Sequence, residues 1–116
     1  MDIQKPTKDF IEILKNFKAW SDSRNVTVLF SFPNIAISKE YYGAQYQQSF
    51  LDIVKSVEKM GIGILGSPYD AMVDEKYLFD TGYHLTQEGI RVRTEKLIDV
   101  LKKYNNKLTK KNNLDQ

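Results

Sequence analysis

The sequence predicts an α/β fold, a short parallel sheet with helices on both faces. Three observations predict it. Apolar residues recur at 3.6-residue spacing in three segments, near residues 8–20, 44–60 and 87–104. Between the helices lie two short, nearly continuous apolar runs, 26–32 and 62–65, as in strands covered on both faces. A strand, a helix and a second strand form a right-handed crossover, so the two strands are expected to run parallel.

Each element has its own justification. Thr7 suits an N-cap and Asp9 suits a first turn. Phe10, Ile13, Leu14, Phe17 and Trp20 then make one apolar stripe, expected to pack on the sheet. The polar run 21–25 stops this helix. The first strand, 26–32, ends at Pro33. Residues 34–43 read as a connection at the carboxyl end of a strand, where open α/β sheets build sites. Ser31, Asn34, Tyr41 and Tyr42 are therefore candidates to line a pocket, though turn chemistry or packing is the simpler account of each. In the second helix, 44–60, Tyr46, Phe50, Ile53, Val54, Val57 and Met60 share a face. Gly61 fits a left-handed C′ position.

The second strand, 62–65, leads into a turn. Ser67 has no Gly-x-Ser-x-Gly pattern around it and reads as a turn residue. Residues 71–78 are ambiguous, with room for one helical turn; 77–79 offer at most a short third strand. Thr86 is a good N-cap for the last helix. There Ile90, Thr94, Leu97, Ile98, Leu101 and Tyr104 keep helical spacing, and Asn105-Asn106 is expected to end it. Arg91 and Arg93 lie early in this helix and are read as surface residues, with anion contact as the alternative. This gives a lead-in at 1–6, a single α/β domain at 7–104 and a mobile polar tail at 105–116.

Composition sets bounds. The chain has 116 residues, 41% of them apolar and 28% charged, as in an ordinary small domain. A net charge of +2 gives no footprint for nucleic acid. There is no cysteine, which excludes disulfides, thiolate zinc sites and a cysteine nucleophile. One histidine with scattered carboxylates falls short of the ligands zinc needs, and no cofactor motif is present. No apolar run approaches the ~20 residues of a membrane span, and the start carries no signal-peptide core. Cytoplasmic placement is expected if Met1 is a native start.

The stretch 79–86, Phe-Asp-Thr-Gly-Tyr-His-Leu-Thr, holds the one histidine, His84, with Asp80 four residues before it. Histidine shuttles protons near neutral pH. A carboxylate at one ring nitrogen fixes the tautomer and orientation that a general base requires. The residues alone favour a packed, hydrogen-bonded loop histidine, since a single His with a nearby Asp is a weak signal. Gly82 is expected to allow a backbone conformation closed to other residues, and Tyr83 to pack.

The block 78–89, followed by Arg93-Thr94-Glu95-Lys96-Leu97-Ile98, resembles the C-terminal block of the SGNH (GDSL-type) hydrolase superfamily. That block carries the catalytic Asp and His, then Leu, a small polar residue and a Gly before the last helix. Residues 29–33 and 61–68 are similar to late strands of the same fold, so the likeness spans about residues 8–104. It implies a partial flavodoxin-like three-layer α-β-α unit, with Asp80 and His84 as orienter and base of a serine triad. The family's usual spacing is Asp-x-x-His, whereas three residues separate the pair here. The Gly-Asp-Ser nucleophile turn and the Gly-x-Asn-Asp segment have no counterpart.

The expected function is thus the C-terminal part of an SGNH-like ester hydrolase or acyl transferase, inactive alone. Its substrate would be an O-acyl ester, with carbohydrate-linked esters included in the class. The alternative is a non-catalytic α/β interaction module, degenerate or truncated, that self-associates through its sheet edge. Two apolar strands leave unpaired edges. A homodimer, or a missing N-terminal portion, is the expected remedy.

Overall fold

The structure, a computed structural model, describes residues 6–114. All of the expected lead-in except Pro6, and the last two residues of the expected tail, lie outside the described residues. The chain is mixed α/β. In order it forms α1 (Lys8–Asp22), β1 (Leu29–Ser31), β2 (Ile35–Ala36), α2 (Ala44–Glu58), β3 (Gly63–Leu65), β4 (Met72–Val73) and α3 (Gln87–Leu114). Short 3-10 turns lie at Lys39–Tyr42, Pro68–Ala71 and Glu75–Tyr77. β1 pairs with β3, and β2 pairs with β4. The β2–β4 pair is parallel, with Ile35 opposite Met72 and Ala36 opposite Val73. Two of these strands arise in segments read as a connection and as ambiguous. The Ile37 amide extends that ladder by donating to the Val73 carbonyl at 2.9 Å.

The described residues group into two compact units. One comprises residues up to Ser31 together with Ser38–Ile64; the other comprises Phe32–Ile37 and residues from Leu65 onward. In the first unit, the Thr7 side chain caps α1 by accepting from the Phe10 amide at 3.2 Å. The face that α1 buries is rotated from the expected one. Ser21 is fully buried and Ile11, Leu14 and Lys18 are half-buried, while Phe10, Ile13, Phe17 and Trp20 stay exposed.

Two physical reasons account for the rotation. A three-residue strand is only ~10 Å long, against ~22 Å for a 15-residue helix, so the strands offer little surface to an aromatic stripe. Ser21 is small and satisfies its own hydroxyl on the Lys18 carbonyl at 2.8 Å. Lys18 lays its stem near Gly61 and ends on Asp22 at 2.6 Å. Phe17 and Trp20 stack on each other in solvent, with the Arg24 guanidinium 4.3 Å from the Trp20 ring centre.

α2 packs as its spacing requires. Val57 is fully buried, and Tyr41, from the preceding turn, meets Tyr46 edge-on at 5.2 Å and tilts against Phe50. Gly61 takes φ +77°, two residues past the Lys59 cap rather than one.

The second unit builds its core from Phe32, Leu65, Pro68, Ala71, Met72 and Val73, with Met72 only 1% exposed. Ser67 is a turn residue and a cap. Its amide donates to Asp70 Oδ2 at 2.7 Å, and its hydroxyl faces the Asp70 amide in a capping box. The last helix does not end at Asn105-Asn106. It runs 28 residues to Leu114, because 105–114 contain neither proline nor glycine. The Thr109 hydroxyl donates to the Asn105 carbonyl, as in a continuing helix. The segment expected to be a mobile tail is therefore helical as far as Leu114, and exposed throughout.

Candidate functional site: an aspartate–histidine pair on a clamped hairpin

The site lies within the second unit. After β4, Asp74 caps the turn at Glu75–Tyr77 by accepting from the Lys76 amide at 3.0 Å. The chain then reverses in a tight loop. Leu78 and Leu85 form an antiparallel bridge, and the Phe79 amide donates to the His84 carbonyl at 3.1 Å. Below that bridge, the Thr86 amide donates to the Tyr77 carbonyl at 2.7 Å. The segment 77–79 is thus one arm of a small hairpin rather than a third strand of a sheet.

Local sequence shapes the tip. The Thr81 hydroxyl oxygen accepts from the amides of Tyr83 and His84, at 3.2 and 3.1 Å. Such side-chain turns are what threonine favours outside regular structure. Gly82 needs no special conformation here: positive φ occurs at Gly61, Gly66 and Asn25 among the described residues.

This fold of the tip brings Asp80 and His84 together. Nδ1 of His84 lies 2.7 Å from Oδ1 of Asp80. A carboxylate only accepts, so Nδ1 carries the proton when the imidazole is neutral, and Nε2 is the basic nitrogen on the opposite side of the ring. Phe79 stacks on the imidazole, centroids 5.7 Å apart and planes 29° apart. The two side chains are 58% and 51% exposed. His84 is thus an exposed loop histidine, hydrogen-bonded to Asp80 and stacked on Phe79. An exposed side-chain pair of this kind stabilises by at most about 1 kcal/mol, so fold stability alone gives little reason for the arrangement.

Two supports hold the hairpin. From below, Thr86 caps α3 by accepting from the Gly89 amide at 3.1 Å. Gly89 lies inside the first turn of α3, not before it, and its backbone sits against Tyr77. From the side, Asn34 donates through Nδ2 to the Tyr83 carbonyl at 2.6 Å. The Asn34 segment is itself tied to α3, where Arg93 donates to the Phe32 carbonyl at 2.9 Å.

Of the four loop residues suggested by position, Asn34 is the one that reaches the hairpin. Ser31, Tyr41 and Tyr42 belong to the first unit, with Tyr41 buried among aromatic rings. Arg91 pairs with Glu95 and Glu88 on the helix surface. Arg93, read as a surface residue, is instead half-buried with its guanidinium on the Phe32 carbonyl. Phe79 and Thr81 are site residues that the sequence reading missed; Thr81, two residues before an amide it can accept from, carried a usable local signal.

The hydroxyls of Ser21, Ser23, Ser49 and Ser56 donate to carbonyls of their own helices, and Ser67 is spent on Asp70. Among the described residues no group of three or more metal-ligating side chains occurs, and no helix is long and apolar enough to cross a membrane. Comparison with family models, with curated proteins and with solved structures returned no match.

Proposed function

We propose that this chain is the C-terminal portion of an SGNH-like serine ester hydrolase or acyl transferase, and that Asp80 and His84 are its orienter and general base. The observation that carries the reading is the 2.7 Å contact between Nδ1 of His84 and Asp80 on an exposed, clamped hairpin. Such a pair leaves Nε2 to take a proton from a hydroxyl as it attacks an acyl carbonyl, and to return it to the leaving alcohol. The nucleophilic serine and most of the oxyanion donors come from a segment outside this chain. The short sheets, β1–β3 and β2–β4, are the remnant of a three-layer, flavodoxin-like arrangement that such a segment completes. The substrate class is an O-acyl ester, with carbohydrate as one carrier of the acyl group.

The exposed stripe of α1 favours a second element of the reading. Phe10, Ile13, Phe17 and Trp20 form an apolar face on one helix, and such faces mark places where another surface packs. The missing segment is its occupant, or failing that a second copy of this chain, in which case the chain is a non-catalytic module. Co-expression with the segment encoded directly upstream tests the proposal. A Gly-Asp-Ser turn in that segment, a stable complex and turnover of short acyl esters support it. A homodimer of this chain, with no nucleophile-bearing segment encoded nearby, contradicts it.

A further inference from the structure

We infer that Asn34 is a positioning residue for His84, acting through the backbone of the hairpin. The inference rests on the reading of Asp80 and His84 as a catalytic pair, and adds the part that holds the base in place. The peptide group joining Tyr83 to His84 is fixed at both polar ends. Its carbonyl accepts from Asn34 Nδ2 at 2.6 Å, and its N–H donates to Thr81 Oγ1 at 3.1 Å. The two bonds oppose each other across one rigid plane; with the Phe79 amide held on the His84 carbonyl on the other side of the residue, they constrain the direction in which the His84 side chain leaves the backbone.

Burial does not hold the tip: residues 79–84 are all exposed, the Phe79 ring stacked on the imidazole belongs to the same tip, and a Cβ added at Gly82 would meet nothing within 4 Å. The Thr81 bond is local and moves with the tip. The Asn34 bond spans 49 positions of sequence and ties the tip to the loop between β1 and β2. That loop is anchored in turn: Phe32 is buried, and its carbonyl accepts from Arg93 of α3. Because a carbonyl only accepts, the partner must be a donor, and Asn34 offers its amide nitrogen there. An aspartate of the same shape would set an acceptor against an acceptor.

The test reads the imidazole itself, on the chain as it exists. Long-range nitrogen–proton NMR spectra of His84 report which ring nitrogen carries the proton. In the wild type the Nδ1–H form is expected to dominate, and Asp80→Asn is expected to abolish that preference. Asn34→Ala, and independently the isosteric Asn34→Asp, should lower the ratio of Nδ1–H to Nε2–H by roughly two- to ten-fold, the equivalent of losing one hydrogen bond. An unchanged ratio in both Asn34 variants, with the Asp80→Asn effect intact, overturns the role of Asn34 and leaves the pair standing. A wild type without the Nδ1–H preference overturns both.

Discussion

Gly89→Ala is a stringent test of how the hairpin is seated. Gly89 is the third residue of α3 and is buried. A Cβ placed there would lie 2.5 Å from the Tyr77 carbonyl oxygen, 2.9 Å from Tyr77 Cβ and 3.3 Å from Leu85 Cδ2. The nearest atom is backbone, and that carbonyl already accepts from the Thr86 amide at 2.7 Å, so it has little freedom to withdraw. Two effects compete. Alanine is the better helix former, by about 1 kcal/mol. Forcing a methyl group into filled space costs about 1–3 kcal/mol, and a contact with backbone lies toward the upper end. The net expectation is a loss of about 1–2 kcal/mol. Each kcal/mol lowers Tm by about 4–8 °C in a domain near this size. Gly82→Ala is the control: its surroundings are open and its φ is not positive, so its effect should stay within about 0.5 kcal/mol. Urea unfolding of both variants decides the matter. A Gly89→Ala protein more stable than wild type would refute the close approach of α3 to the hairpin base.

Other expectations are more easily stated. Thr86→Ala removes the cap on the Gly89 amide and should cost about 1 kcal/mol by the same urea measurement. The isolated chain should show no ester turnover above buffer; turnover lost on replacing Ser31, Ser38 or Ser67 would reveal an overlooked nucleophile. Trp20, the one tryptophan, is 51% exposed. Its emission should be red-shifted in dilute solution and move to the blue as sedimentation detects association, whereas a concentration-independent monomer would count against the α1 stripe as an interface.

What was legible in the sequence followed local chemistry. The Thr7 cap, the apolar face of α2 and the left-handed Gly61 depend on neighbours a few residues away, and each was readable. So was the approach of Asp80 to His84, four residues apart across a turn built by Thr81. The face that α1 buries was not. Five apolar side chains at helical spacing outweigh one serine in any pattern argument, yet of the five only Leu14 is half-buried, alongside Ile11, Lys18 and the fully buried Ser21, because the strands are too short to receive an aromatic stripe. The β2–β4 pair was hidden for a related reason, since two-residue strands carry no period. The length of α3 was underestimated because asparagine was read as a stop, when it only propagates a helix weakly. Asn34 and Gly89 were the least accessible, since their roles depend on partners 49 and 12 residues away.

The most direct test of the central claim is ester turnover by this chain in complex with the segment encoded directly upstream, measured for His84→Ala and Asp80→Asn. Both side chains are exposed, so neither variant should weaken the fold by much, and circular dichroism melts provide that check. His84→Ala is expected to lower kcat/KM by about 10²–10⁴, the usual contribution of a positioned general base, with Asp80→Asn falling in the same direction. Turnover that survives His84→Ala, or a stable complex with no turnover at all, would contradict the assignment of Asp80 and His84 as the acid–base half of an acyl-transfer site.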